Sequence, residues 1–311
     1  MTEGIFVYET ECSPETAIVT GLLQERRHIE VPEKLGGLPV RRIAPHAFSG
    51  LRQLRSISFP PGIESVGAFA LHNCPQLEEA ELYDGIEDFH NGVLRQDVRL
   101  RRIRLLVTRG SYTVMRDILS DTDARLLFCL QLPDGEAKLL FPGYDYAFAE
   151  NTMARTIQFS ISGSGMVYRE CVRRKGIGFR EYDRLFARVI HDDPHAAVEI
   201  AANRLQVPYD LAPVHARAYE DYLRENAEDA LVQIVTDISS GNSTCDMEEG
   251  YEHLHLMADR GLISREAADA ALRLASDKDL TEVCSIIMAG REKTQGTSLS
   301  MGPGMLSLDD W

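Results

Sequence analysis

Apolar residues recur every 23 positions in the first third of the chain. Five columns keep this spacing over three successive segments: Val40, Ile63 and Ile86; Ile43, Val66 and Phe89; Leu54, Leu77 and Leu100; Ile57, Ala80 and Ile103; Phe59, Leu82 and Leu105. In the last two columns apolar residues alternate with polar ones, which is the pattern of a half-buried strand. The repeat therefore predicts a solenoid, in which each copy forms one short parallel strand and buries its apolar face only by stacking on its neighbours.

A longer motif recurs within these segments. It reads Ile43-Ala-Pro-His-Ala-Phe48-Ser-Gly-Leu51-Arg-Gln-Leu54-Arg-Ser-Ile57-Ser-Phe59-Pro60 in one copy and Val66-Gly67-Ala-Phe69-Ala-Leu71-His-Asn-Cys74-Pro-Gln-Leu77 in the next. Both resemble the BspA-type leucine-rich repeat of bacterial proteins, and Ile29-Glu-Val31-Pro32 resembles the opening half-repeat of that family. The resemblance covers about residues 17–106. It implies a short leucine-rich repeat solenoid that acts as an interaction surface.

Polar residues on the predicted strands are expected to share the open face of the sheet. They are Ser56, Ser58, Glu79, Glu81, Tyr83, Arg102 and Arg104. Adjacent rungs lie about 4.8 Å apart, so the glutamates of one rung face the arginines of the next. Two interpretations follow. The charges form a cross-strand ladder of ion pairs, each worth about 0–1 kcal/mol when exposed, or they form a protein-binding face with Tyr83 as an anchor at its edge.

The region that follows the repeats mixes helix and strand. We predict a short helix over 112–120 and two strands, 125–132 and 137–141, joined by the turn Pro133-Asp-Gly135. A further extended segment is expected over 154–162. This region is predicted to cap the repeat array, because an open sheet edge otherwise invites unwanted pairing.

From Gly178 onward the apolar spacing becomes helical. Asp193-Pro194 is predicted to begin one helix, and further helices are expected over 216–225, 227–239, 251–260, 264–275 and 279–289. Gly261 and Gly290 stand at expected helix ends. Residues 271–287 resemble an ankyrin helix pair, which implies an all-α stack of helical hairpins.

The predicted fold class is therefore α+β. We expect a leucine-rich repeat domain with its N-terminal cap (1–110), a mixed capping region (111–168), an ankyrin-like helical domain (169–292) and a flexible tail (293–311). The tail ends with the only tryptophan of the chain. It is interpreted either as a frayed terminus or as a docking peptide, in which Leu306, Leu308 and Trp311 would anchor in the groove of a partner.

Charge and hydropathy exclude two classes of partner. The formal net charge is −15, and residues 192–282 carry twenty acidic against seven basic side chains. A nucleic-acid partner needs lysines or arginines that neutralise phosphates, so none is expected. No membrane partner is expected either, because no apolar run approaches the roughly 18 residues of a membrane span. Residues 1–15 hold four glutamates and no lysine or arginine, unlike a secretory signal, and we therefore expect a cytoplasmic location.

The six cysteines are widely spaced and contain no CxxC pair. This spacing is typical of free thiols in a reducing compartment rather than of a disulfide scaffold or a metal site. We expect neither a metal ion nor a cofactor.

These observations favour a non-catalytic protein-protein interaction scaffold or adaptor, with a protein partner and with self-assembly as a further possibility. The alternative is a regulatory or substrate-recognition subunit of an enzyme complex. A less favoured hypothesis is a hydrolase with an interdomain site, built from the best available acid-base residues: Glu150, Asp183, His191 and His195. The two histidines lack the glutamate of an H-E-x-x-H motif, and Pro194 separates them.

Overall fold

The computed structural model describes residues 1–13, 15–151, 156–240 and 243–299. The chain divides into two compact units, 1–215 and 216–311. The strands are β1 (Thr2–Glu3), β2 (Phe6–Cys12), β3 (Glu15–Leu22), β4 (His28–Glu30), β5 (Lys34–Leu35), β6 (Leu38–Ile43), β7 (Ser56–Ser58), β8 (Ser65–Val66), β9 (Glu79–Tyr83), β10 (Asp88–Phe89), β11 (Arg102–Leu106), β12 (Leu126–Leu132), β13 (Gly135–Phe141), β14 (Asp145–Asn151), β15 (Thr156–Ser162), β16 (Val172–Arg173) and β17 (Gly176–Ile177). The helices are α1 (Thr113–Asp121), α2 (Gly165–Glu170), α3 (Phe179–Arg184), α4 (Phe186–Asp192), α5 (Pro194–Gln206), α6 (Pro213–Glu225), α7 (Ala227–Ser240), α8 (Thr244–Asp259), α9 (Arg265–Asp277) and α10 (Thr281–Leu299).

Two sheets form the walls of the solenoid. The first sheet has the strand order β1-β2-β3-β6-β8-β10, with β5 paired to β6, and the second has the order β13-β12-β11-β9-β7-β4. In the second sheet β4, β7, β9, β11 and β12 are parallel neighbours in continuous register. The predicted mixed α+β fold is confirmed: a β-solenoid of about five turns is followed by helices.

The apolar columns form the core between the two sheets. Leu54, Ile57 and Phe59 are 0–2% exposed, and the rings of Phe59 and Phe48 stack at 6.4 Å between their centroids. Burial alternates along β9, where Ala80 is buried and its polar neighbours are half-exposed. A single rung cannot cover these side chains, so their burial depends on the stacked neighbours.

Each repeat also contains a turn with two left-handed residues four positions apart. The first position is occupied by His46, Phe69 and Gly92, and the second by Gly50, Asn73 and Gln96, with φ between 59° and 75°. Residues other than glycine rarely adopt this left-handed backbone conformation. The 23-residue repeat therefore preserves a turn geometry as well as an apolar pattern.

The predicted cap begins by continuing the array. The strand β12 joins β11 as a further parallel strand, and β13 then pairs antiparallel to β12 with Leu132 opposite Gly135. The predicted hairpin around Pro133 and the helix near 112–120 are thus confirmed, the latter as α1. Because β13 runs antiparallel, the parallel stacking ends at this strand.

In the first unit α5 packs against β13. Its start is the one predicted: the Asp193 side chain accepts a hydrogen bond of 3.0 Å from the backbone N–H of Ala196, and Pro194 occupies the first turn. On its inner side Arg204 forms a fully buried ion pair with Asp183, with Nε 2.8 Å from Oδ1.

In the second unit α7 packs against α8 and α9, and α10 packs against α8 and α9. The prediction that a helix ends at Gly290 is wrong, because α10 continues to Leu299 and includes the first residues of the predicted flexible tail. A Cβ at Gly290 would lie 2.9 Å from the Cα of Ala258 and 2.7 Å from Cδ1 of Ile263. The glycine therefore permits close packing of helices instead of terminating one.

Other helix boundaries also differ from the prediction. The helix α8 begins at Thr244, seven residues earlier than predicted, because the Ser243 side chain caps it by accepting from the N–H groups of Cys245 and Asp246. Helix α9 begins after Ser264, close to the expected residue. The ankyrin likeness of the C-terminal helices is not confirmed, and the division into four domains stays a prediction.

Candidate functional site

The second sheet exposes a set of polar side chains in register. We call this set the polar face: His28, Glu30, Ser56, Ser58, Glu79, Glu81, Tyr83 and Arg104. Each of these residues lies next to a buried apolar neighbour on the same strand, as the period of two in a strand requires. The structure thus brings together all the predicted strand residues except Arg102, which lies in the same register but is only 5% exposed.

Glu79 connects two arginines of the next rung. Its Oε2 accepts a hydrogen bond of 3.2 Å from Nη1 of Arg102, and its Oε1 accepts from Nε of Arg104. The bond to Glu79 raises the pKa of Arg104 above its usual value. The predicted cross-strand ion pairing is therefore present, and it fixes Arg104 over the sheet although 48% of that side chain stays exposed.

The remaining acidic residues of the polar face are not neutralised in this way. Within the described part of the chain, neither Glu30 nor Glu81 forms an ion pair. Partial burial, together with the negative charge of Glu81, raises the pKa of Tyr83, so its hydroxyl stays protonated at neutral pH. The polar face consequently offers two carboxylates and a phenol to an incoming group.

Two residues of the polar face were missed by the sequence analysis. His28 and Glu30 lie opposite Ser56 and Ser58, and Nδ1 of His28 is 2.8 Å from Oγ of Ser56. The separation along the chain is 28 residues rather than 23, because the β5–β6 hairpin is inserted between these rungs. The signal was nevertheless present, since Ile29-Glu-Val31-Pro32 repeats the pattern of Ile57-Ser-Phe59-Pro60.

The other predicted site residues do not join this face. Leu306, Leu308 and Trp311 lie outside the described residues. Asp183, a candidate acid-base residue of the hydrolase hypothesis, is held in the buried ion pair with Arg204 and is not available for proton transfer to a substrate.

The remaining residues of that hypothesis add no catalytic geometry. His191 and His195 are exposed, with Nδ1 of His195 3.9 Å from Oε2 of Glu199, and the side chain of Glu150 lies outside the described part of the structure. Among the described residues, no group of histidine, cysteine, aspartate and glutamate side chains has the arrangement of a metal site.

The stacked parallel rungs, the alternating burial and the repeated turns define a leucine-rich repeat solenoid. Residues 27–115 match the BspA type leucine-rich repeat region in six copies, and this part of the chain is a BspA-type leucine-rich repeat region.

Several solved structures are similar to part of the chain. A leucine-rich repeat protein from Bacteroides ovatus is 21% identical over 34% of this chain and 31% of its own, with a TM-score of 0.32. A leucine rich cell surface protein from Faecalibacterium prausnitzii is 20% identical over 35% of this chain and 29% of its own, with a TM-score of 0.25. A leucine-rich repeat protein from Bacteroides capillosus is 17% identical over 34% of this chain and 96% of its own, with a TM-score of 0.28. The chain thus spans about a third of the length of the first of these proteins.

No curated protein matches the chain. Within the described residues, none of the helices combines the length and the apolar character that crossing a membrane requires.

Proposed function

We propose that the chain is a non-catalytic protein-interaction scaffold whose polar face binds a segment of a protein partner. Repeat solenoids present continuous surfaces of this kind and generally bind proteins. The observation that carries the proposal is the set of polar side chains aligned on the parallel strands β4, β7, β9 and β11, held in place by a packed core.

The dimensions of the polar face favour a short segment over a whole domain. Three spacings of about 4.8 Å separate β4 from β11, and the exposed part of each strand extends about 7–10 Å. A surface of roughly 100–150 Å² is far below the ~800 Å² per partner of a standard interface. A loop or terminal peptide of the partner fits this area.

The charges indicate which segment would bind. Glu30 and Glu81 have no ion pair within the described residues, whereas Arg104 already shares Glu79. A lysine or arginine side chain of a bound segment would form ion pairs with these carboxylates, and Tyr83 would supply an amphipathic contact at the edge of the face. The partner surface is therefore proposed to be basic.

A substitution at Ser58 tests this proposal. Ser58 lies between Glu30 and Glu81 in the register, so Ser58→Arg places a competing guanidinium between the two carboxylates. The matched control is Ser65→Arg on the first sheet, since both serines are half-exposed strand residues. Tagged wild-type and variant chains would be purified from the native cells, and the proteins recovered with them would be quantified.

A protein that is recovered with wild type and Ser65→Arg but at least about tenfold less with Ser58→Arg supports the proposal. Recovery of a different protein indicates an adaptor, and recovery of a second, untagged copy of this chain indicates self-assembly. Equal recovery by all three chains would show that the polar face is not the binding surface.

We propose a cytoplasmic location for this activity. All six cysteines are free, and Cys74, Cys171 and Cys245 are buried. Free thiols are typical of reducing compartments. Fractionation of the native cells would test the location, and recovery of the chain from the cell surface would contradict it.

A further inference from the structure

A second surface feature lies at the C-terminal end of the solenoid, and the residues that line it are outside the strands of the polar face. It is a cleft of about 420 Å³ between the loop of residues 94–98, which belongs to the last 23-residue rung, and residues 120–124 after α1, with Tyr144 as a further wall. A neighbouring cleft of about 550 Å³ shares Asp123, Ala124 and Tyr144 with it. Pockets of 300–1,000 Å³ are the size that binds small molecules or single side chains.

Asp97 is a buried carboxyl group in the wall of this cleft. It is 8% exposed, and its Oδ1 accepts a hydrogen bond of 2.7 Å from the backbone N–H of Cys74. Its Oδ2 is buried and has no hydrogen-bond partner among the described residues. In the repeat Asp97 occupies the position of Cys74 and Leu51, where the core is otherwise apolar. Asp97 thus brings an unpartnered polar atom to a position that apolar side chains occupy in the neighbouring rungs, whereas buried polar groups are nearly always hydrogen-bonded.

Two further carboxylates line the same cleft. Asp121 accepts a hydrogen bond of 2.7 Å from the N–H of Gly92 and lies 3.8 Å from Arg95. The carboxylate of Asp123 is exposed and has neither a hydrogen bond nor an ion pair within the described residues. With Asp97, three acidic groups thus lie near two arginines, Arg95 and Arg169; the guanidinium of Arg169 lies over the ring of Tyr144 and donates to backbone carbonyls, including that of Ala124.

Apolar atoms accompany these charges. Val98 is 70% exposed at the cleft, and Leu94 and the ring of Tyr144 also line it. An acidic interior beside exposed aliphatic and aromatic surface suits a ligand with a positively charged N–H donor on a short apolar stem. Neither an anion nor a wholly apolar molecule would satisfy the carboxylates.

We propose that this cleft binds a protonated alkylamine or guanidinium group, with Asp97 and Asp123 as the carboxylates that receive its N–H donors. Such a group is carried by a free amine or by a lysine or arginine side chain. The site shares no residue with the polar face, so a test of this proposal does not depend on the proposed scaffold function.

Binding at this site is linked to a proton. Burial raises the pKa of Asp97 to about 8, while the hydrogen bond from Cys74 acts in the opposite direction. The titratable or charged groups around the cleft are the Cys74 thiol from the preceding rung, whose pKa burial raises to about 12, Arg95 on the loop of Asp97, and Asp121 and Asp123 at the end of α1. Tyr144 and the guanidinium of Arg169 over its ring complete the set. The free protein therefore holds a protonated Asp97 at pH 7, and a bound cation favours its ionised form. Binding at pH 7 should release close to one proton, and at pH 9 almost none.

Titration calorimetry with agmatine, which carries both an ammonium and a guanidinium group, tests the proposal on the full chain. Measurements at pH 7 in two buffers of different ionisation enthalpy give the number of protons released. The variants are Asp97→Asn and Asp123→Asn, and the control is Asp88→Asn, an exposed aspartate on the first sheet. If Asp97→Asn fails to fold, the exposed Asp123→Asn keeps the test intact.

We expect Asp123→Asn to weaken binding by about threefold or more and Asp97→Asn by about tenfold or more, with loss of proton release only in the latter. Asp88→Asn should bind like wild type. The peptide acetyl-Gly-Lys-Gly-amide distinguishes the two sources of the cation. Binding of the peptide but not of agmatine would identify the ligand as a side chain of a protein, and binding of agmatine but not of the peptide would identify it as a free amine.

Three results would overturn the proposal. The first is absence of binding by both probes. The second is equal binding by the neutral analogue 1,5-pentanediol, which would show that charge is not recognised. The third is tighter binding of calcium chloride alone with the same loss in the variants, which would reassign the cleft to a metal ion.

Discussion

Asp97 should make the repeat region less stable as the pH rises. The pKa of this carboxyl is raised from 3.8 to about 8 by burial in the folded chain, where the group is 8% exposed. Between these two values the unfolded chain has released the proton and the folded chain retains it, so folding takes up one proton. The stabilisation linked to this proton is complete below pH 4 and is lost as the pH rises through 8. The free energy of unfolding should fall by about 1.4 kcal/mol per pH unit in this interval, or about 2 kcal/mol from pH 6 to pH 8.

The variant Asp97→Asn isolates this effect, because an amide keeps an oxygen for the N–H of Cys74 and does not titrate. Guanidinium denaturation at pH 6, 7 and 8, followed by circular dichroism, would be combined with hydrogen exchange of peptides from the repeat region, which reports on that unit alone. The difference between variant and wild type should grow by about 2 kcal/mol from pH 6 to pH 8, and Asp88→Asn should follow wild type. Parallel pH profiles for wild type and Asp97→Asn would refute the reasoning.

Three further substitutions test the packing. Gly290→Ala should destabilise the C-terminal helices by about 1–3 kcal/mol, because its Cβ would overlap atoms of Ala258 and Ile263. The control in thermal unfolding is Gly176→Ala, where a Cβ meets no atom within 4 Å. Equal melting temperatures for the two variants would contradict the packing argument. Gly92→Ala should cost about 1–2 kcal/mol, since φ is +73° and the new Cβ would lie 2.4 Å from the ring of Phe69; unchanged exchange protection in the repeat would speak against it. Arg204→Met should destabilise the first unit by about 3–5 kcal/mol in denaturant titration, because it removes the guanidinium that pairs with the fully buried carboxylate of Asp183; a loss below 1 kcal/mol would show that the charge is compensated elsewhere.

The repeat columns were sufficient to predict the strands β7, β9 and β11 of the second sheet and most of the polar face. Alternation around Ile57, Ala80 and Ile103 identifies the outward side chains without reference to any partner. The opening half-repeat was recognised from its motif, but its polar residues His28 and Glu30 were not predicted, because the inserted hairpin changes the spacing and a fixed period does not align Ile29 with Ile57. A fixed sequence period therefore aligns the rungs of a solenoid only where successive turns have equal length.

Local signals were less informative where a distant element determines their meaning. Gly290 has the appearance of a helix end in the sequence, and only the position of Ala258 and Ile263 shows that it is a packing position. Asp97 similarly reads as a surface residue of a degenerate repeat. Its burial, and hence its raised pKa, depends on the stacking of the preceding rung and on α1, which no pattern around residue 97 contains.

The antiparallel strand β13 limits where further repeat units can be inserted into the chain. Because both ends of the array are closed by segments that do not repeat, new units can be added only in the interior, for example between β7 and β9. Each inserted copy of 23 residues would lengthen the sheet by about 4.8 Å and add two outward side chains, while leaving the terminal structures unchanged. Related chains should therefore differ by whole rungs in the middle of the array, with conserved closures at either end and a binding surface that grows in fixed steps.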